Sequence, residues 1–136
     1  MRVESWPEIL NEYIDSSYEI DFEWGRNDCA LWVGKYLERV KVSTHYIGFL
    51  GRYETELGAK RTLTVNGHDS LESLADYYLS RRDSIHFAQR GDIVYYEKAL
   101  GLCAGINSFF LMPDKGVVAI DTQLCDIAWR GDKCRQ

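Results

Sequence analysis

A turn, a helix cap and a cysteine follow one another in the stretch Phe22-Glu23-Trp24-Gly25-Arg26-Asn27-Asp28-Cys29-Ala30. Asn27 or Asp28 can accept hydrogen bonds from the free N–H groups of a helix start, so this pattern predicts a helix that runs to about Val40. The same N–H groups and the helix dipole stabilise a thiolate at the first turn. Cys29 is therefore a candidate nucleophile, although buried helix cysteines commonly pack as small hydrophobic residues instead.

The segments around this stretch predict helices first and strands afterwards. One helix, capped by Ser5, is predicted before it, and two more are predicted near residues 53–63 and 70–80. From Asp92 onwards the chain becomes β-branched and aromatic, which predicts strands at 92–96, 100–106, 109–112 and 116–120. We expect residues 1–136 to form one α+β domain, with N-terminal helices followed by a small antiparallel sheet.

The charge and hydropathy of the chain argue against two classes of protein. The net charge is −5 and the isoelectric point about 5.2, whereas nucleic-acid-binding domains are usually basic. No stretch approaches the ~18 apolar residues of a membrane span, and residues 1–7 contain no apolar secretory segment. We therefore expect a cytoplasmic protein with no nucleic-acid partner and no membrane span.

The four cysteines are widely spaced and form no Cys-x-x-Cys pair; they are Cys29, Cys103, Cys125 and Cys134. Scattered cysteines in a cytoplasmic protein are normally reduced, and this spacing does not support a metal site. The glycines of the second half form no phosphate-binding motif. We expect neither a metal nor a cofactor.

A nucleophilic cysteine needs a base within hydrogen-bond reach, normally a histidine. The histidines of this chain are His45, His68 and His86. None lies inside a predicted strand that would hold it rigidly against Cys29. His45, in a predicted loop or short helix after the Cys29 helix, is the candidate base. Trp24 beside the turn and Asp28 before the cysteine are candidate residues of a substrate groove.

Two segments resemble those of a known enzyme family. Residues 24–32 are similar to the nucleophile motif of the NlpC-like branch of papain-type cysteine peptidases, which cut bacterial cell-wall peptides. In that motif a Gly-x-x-Asp-Cys turn opens a helix. Residues 90–96 are similar to the Pro-Gly-Asp-Leu-Val-Phe-Phe strand that follows in those enzymes. The resemblance implies a papain-like, NlpC-like fold with Cys29 as the nucleophile.

The chain resembles still more closely an uncharacterised family that is encoded among phage and prophage tail genes. The matching features are the segments 22–30, 51–53, 87–92 and 128–130. The resemblance implies that the partners are phage tail proteins or peptidoglycan peptides. It also implies that the protein is incorporated later in a phage particle.

The chain departs from the active peptidases at one position. Their catalytic histidine lies in a His-Val-Gly-Ile pattern on the next strand, and the comparable run here is 102–106, with Cys103 in the place of the histidine. A thiol with a pKa of about 8.5 is a poor proton shuttle near neutral pH. The resemblance therefore implies a degenerate catalytic site.

Three functional outcomes follow from this departure. Catalysis can be lost, which leaves a tail-assembly or cell-wall-peptide-binding component, and this is the outcome we favour. Alternatively, His45 can replace the missing base in an active cysteine endopeptidase that cleaves peptidoglycan stem peptides. Finally, Cys29 and Cys103 can form a redox-sensitive pair, which requires Cα atoms within ~7 Å of each other.

Overall fold

The computed structural model describes residues 1–135, which adopt an α+β fold. Four α-helices precede one five-stranded antiparallel sheet. The helices are α1 (Trp6–Ser17), α2 (Cys29–Arg39), α3 (Glu56–Val65) and α4 (Leu71–Tyr78). The strands are β1 (Ile93–Tyr96), β2 (Ala99–Cys103), β3 (Asn107–Met112), β4 (Gly116–Asp121) and β5 (Ile127–Trp129). Short 3-10 helices span His45–Gly48, Ile85–Phe87 and Thr122–Leu124.

The sheet has the strand order β4-β3-β2-β1-β5, which puts β1 and β2 at its centre. Val94 of β1 pairs with Gly101 on β2 and with Ala128 on β5. Consecutive side chains of a strand point to opposite faces of the sheet, so each central strand serves two clusters of buried residues. Ile93 packs in the larger cluster with the helices, whereas Val94 packs in a second cluster on the other face.

Helix α2 connects α1 to the sheet. Its Trp32 is 1% exposed, stacks on Tyr13 of α1 at 5.5 Å between ring centroids, and donates a hydrogen bond of 2.8 Å to Ser17. On the sheet side, α2 packs in the same cluster as Leu100 and Leu102 of β2. Burial of aromatic side chains of this size contributes several kcal/mol, which holds the start of α2 in a fixed position on the sheet.

The observed elements confirm the predicted α+β fold and correct several of its boundaries. The predicted helix at 53–63 begins instead at Glu56, because the Thr55 hydroxyl caps it by accepting the Gly58 N–H. The predicted strand at 100–106 ends at Cys103, and Gly105 turns the chain with a φ of +113°. The sequence reading missed β5, which is too short at three residues to show a pattern of alternation.

No helix within residues 1–135 combines the length and the apolar character that a bilayer crossing would need.

Candidate functional site around Cys29

The carboxylate of Asp28 connects three segments at the start of α2: the first turn of the helix, the Gly25 turn before it, and the loop that carries Tyr53. Its Oδ1 accepts the Leu31 N–H at 3.0 Å, which caps the helix, and its Oδ2 accepts the Gly25 N–H at 3.1 Å. The Tyr53 hydroxyl donates to the same Oδ2 at 2.5 Å. Asp28 is only 2% exposed, so these bonds compensate a carboxylate that is almost fully removed from water.

Gly25 allows the loop of Tyr53 to approach the turn closely. The φ of Gly25 is +82°, and a Cβ at this position would lie 1.8 Å from the carbonyl oxygen of Tyr53. The Gly51 N–H also donates to the Gly25 carbonyl at 2.7 Å. Only glycine can adopt this positive φ without strain and also leave room for the Tyr53 carbonyl. The segment 51–53, noted in the sequence only as a shared feature, is therefore part of the support of Cys29.

Cys29 is the first residue of α2 and is half-buried. Burial raises the pKa of its thiol to about 12. Backbone groups of Leu100 and Ala30 favour the thiolate, but their effect is smaller than that of burial, and the neighbouring Asp28 carboxylate raises the pKa further. At neutral pH Cys29 is therefore a neutral thiol, despite its place at a helix start.

The thiol borders a cavity of about 620 Å³ between α2, α3, α4 and the sheet. The interior is mainly apolar, and Ala59 and Leu63 of α3 form its outer wall. One charged lining residue, Asp28, is buried. The other charged lining residues are exposed, namely Glu56, Lys60, Asp69 and Lys98. An apolar interior with a few polar groups at its edge is the usual composition of a small-ligand site.

His45 is the histidine that lines this cavity. Its ring stacks on Tyr78, with 4.1 Å between ring centroids and 22° between planes. The other two histidines face elsewhere: His68 is paired with the Ser73 hydroxyl at 2.9 Å, and His86 with Gln123 at 2.7 Å. The structure thus brings His45 and Cys29 to one cavity.

Cys103 belongs to the second cluster of buried residues, and Cys29 packs against the same cluster from its edge. Cys103 is fully buried in that cluster, where its Sγ lies 3.6 Å from the Gly105 carbonyl and 3.8 Å from the Thr122 hydroxyl. It is not among the residues that line the Cys29 cavity, whereas Leu100 of β2 lines that cavity and its backbone interacts with the Cys29 thiol. Within residues 1–135 all four cysteines are free thiols.

The two predicted groove residues, Trp24 and Asp28, both border the cavity. Sequence reasoning missed Tyr53 and Lys98. Burial, followed by the charge of the Asp28 carboxylate, raises the pKa of Tyr53 well above its usual range and keeps its hydroxyl a donor. Lys98 lies in the tight β1–β2 turn with a φ of +67°, a conformation that the residue type does not reveal.

In the described part of the chain, no three His, Cys, Asp or Glu side chains are grouped so that they could hold a metal ion. A family model, DUF6950, whose description is a domain of unknown function, matches residues 1–131. No curated protein and no solved structure matches the chain. Since the family model covers nearly the whole sequence, the chain belongs to the DUF6950 family.

Proposed function

We propose that this protein is a phage or prophage tail component with a papain-like, NlpC-like fold and a degenerate catalytic site, and that it binds a cell-wall peptide without cutting it. The observation that carries the proposal is that Cys29 has the position of a nucleophile but not its ionisation state. The residue opens α2 and borders a cavity of about 620 Å³, yet burial keeps its thiol neutral with a pKa of about 12.

The motifs that motivated the resemblance have structural roles at this site. Gly25 and Asp28 build the turn before the cysteine, and Tyr53 closes on that turn. Asp92, from the second shared motif, is buried at the start of β1 and pairs with Arg82. A helix that begins with cysteine and precedes a small antiparallel sheet is the arrangement that the resemblance implies.

Loss of catalysis is supported by the groups that surround the thiol. A peptidase of this kind needs a thiolate and an imidazole that is held within hydrogen-bond reach. Strand β2, which would carry that imidazole, contains no histidine, and the backbone of Leu100 lies beside Cys29. The remaining cavity is suited to binding: its apolar interior can take small aliphatic side chains, and Lys60 and Lys98 at its edge can pair with peptide carboxylates.

Calorimetric titration of a synthetic stem peptide tests the binding, and mass spectrometry of the same mixtures tests the cleavage. We expect binding without cleavage. Ala59→Trp, which fills the cavity from α3, should weaken binding at least tenfold. The matched control is Leu57→Trp on the exposed side of the same helix, which should bind like the wild type. Absence of binding, or cleavage that disappears in Cys29→Ala, would refute the proposal.

The tail assignment rests on the shared motifs and has its own test. Mass spectrometry of purified phage particles that are induced from a host carrying this gene should detect peptides of the chain. Detection only in the unassembled cell extract would argue against a tail component.

A second candidate function is an active cysteine endopeptidase with His45 as its base. It is favoured by one observation, namely that His45 and Cys29 border the same cavity. The thiol would lose its proton to His45 and attack the peptide carbonyl; the amine would leave with that proton, and water would then release the acyl group. Cleavage of the stem peptide that is lost in both Cys29→Ala and His45→Ala would establish it.

A further inference from the structure

A second depression lies on the other side of the His45–Tyr78 stack. It has a volume of about 580 Å³ and shares His45, Phe49 and Tyr78 with the Cys29 cavity. Its remaining lining comes mainly from the loop between α3 and α4, which includes Asn66 and His68, and from Tyr77 of α4. The two spaces are therefore neighbours that share a wall.

The lining of this depression carries no Asp, Glu, Lys or Arg side chain, although charged residues make up 27% of the chain. A ligand with a full charge would find no opposite charge to pair with it there. The lining instead combines aromatic rings with uncharged hydrogen-bonding groups. This chemistry selects a neutral, polar ligand over an anion or a cation.

Several of those polar groups have hydrogen-bonding capacity left over. Asn66 uses its Nδ2 to bond the Thr62 carbonyl at 2.8 Å, which leaves its Oδ1 as an acceptor. His68 uses its Nδ1 to bond Ser73, which leaves its Nε2. His45 takes part through its ring in a stack, and its hydrogen bond to Ser43 uses only the backbone N–H. The residues that line the depression thus retain donors and acceptors of the kind that hydroxyl and amide groups recognise.

Tyr77 provides the apolar part of the surface. It is 55% exposed, and it is held in place by edge-to-face contacts with Tyr78 at 4.9 Å and with His68 at 5.5 Å between ring centroids. A pyranose ring has an apolar C–H face that packs on an aromatic ring, while its equatorial hydroxyls bond to groups at the ring edge. An exposed tyrosine that lines the same depression as Asn66 and His68 matches both requirements.

We infer that this depression, lined by His45, Asn66, His68, Tyr77 and Tyr78, is a carbohydrate-binding subsite that takes a neutral hexose or N-acetylhexosamine unit. The inference rests on the proposed function in one respect: a cell-wall glycan carries its peptide as a side branch, so the sugar would occupy the depression while the peptide enters the Cys29 cavity. The sugar subsite itself requires only the lining described above.

The test is an NMR titration with a chito-oligosaccharide of four N-acetylglucosamine units, which contains no peptide. We expect saturable binding that Tyr77→Ala weakens at least tenfold. Tyr18→Ala is the matched control, since Tyr18 is 56% exposed and lies outside both spaces. The affinity should also be unchanged at about 1 M salt, where ionic contacts are screened within ~3 Å. No binding, or equal affinity in the wild type and Tyr77→Ala, would overturn the inference.

The stem peptide separates this inference from the proposed function. Tyr77→Ala should bind the isolated peptide like the wild type, and Ala59→Trp should bind the isolated sugar like the wild type. Peptide binding without sugar binding would remove the subsite and leave the proposed function. Sugar binding without peptide binding would support the subsite and remove the cell-wall-peptide proposal.

Discussion

Gly25 and Gly67 have almost the same backbone conformation in different surroundings, with φ values of +82° and +87°. A Cβ on Gly25 would collide with the Tyr53 carbonyl at 1.8 Å, whereas nothing lies within 4 Å of a Cβ on Gly67. We expect Gly67→Ala to cost about 1 kcal/mol of unfolding free energy for the conformation alone. Gly25→Ala adds the collision and should cost more than about 3 kcal/mol. Urea denaturation of both variants measures the difference, and equal losses would contradict it.

Cys29 should react slowly with alkylating reagents at neutral pH. An ordinary cysteine is half ionised near pH 8.5, but burial raises the pKa of Cys29 to about 12, so its thiolate appears only as the pH rises towards that value. Its alkylation rate in iodoacetamide should climb about tenfold per pH unit from pH 8 to 11. Peptide mass mapping follows the rate, and the same residue in the urea-unfolded chain is the control. If the alkylation rate already reached a plateau below pH 8, the folded protein would instead stabilise the thiolate of Cys29.

The sequence could place Cys29 at a helix start but could not predict the ionisation state of its thiol. The cap, the glycine turn and the helical spacing are local, and each is visible in residues 22–30. The burial that raises the pKa of Cys29 depends on elements that are distant in sequence, since the cavity beside the thiol is lined by residues of α3, α4 and the sheet. For the same reason the sequence did not reveal that His45 lines the cavity of Cys29 whereas Cys103 does not.

At the scale of elements, Asp92 anchors the start of β1 to the segment that follows α4. Its carboxylate, 1% exposed, accepts two hydrogen bonds from Arg82 at 2.9 and 3.0 Å and one from the Gln89 N–H at 2.9 Å. The sequence identified residues 90–96 as a strand with a shared Gly-Asp start. It did not identify Arg82 as the partner, because two adjacent arginines look equivalent in a sequence.

The adjacent arginines Arg81 and Arg82 should differ strongly in their contribution to stability. Arg82→Met leaves the buried Asp92 carboxylate without its cation and should lower the unfolding free energy by about 3–5 kcal/mol. Arg81 pairs with Glu72 and Asp76 at the surface, with side chains more than 40% exposed. Arg81→Met should therefore cost at most about 1 kcal/mol. Urea denaturation at pH 7 compares the two, and similar losses would show that the Asp92 pair is not structural.

At the scale of the whole molecule, the helices differ in how firmly they are held. The order of helices and strands along the chain was predictable because each has its own periodicity, but the strand order of the sheet, β4-β3-β2-β1-β5, was not. Helix α2 buries five side chains, whereas α3 buries none and contributes half-buried residues to the wall of the Cys29 cavity. The cavity is therefore closed on one side by the least anchored helix of the fold.

We expect α3 to open far more often than α2, because the free energy of local opening depends on the buried contacts that are lost. In hydrogen-exchange mass spectrometry, amides of α3 should exchange at least about 10²-fold faster than those of α2. A stem peptide bound in the cavity would contact Ala59 and Leu63 and should slow exchange in α3, while α2 changes little. The variant Ala59→Trp, which fills the same space, should show no such slowing. If α3 exchanges as slowly as α2 in the free protein, then this wall is rigid and a ligand must enter the cavity past its charged edge.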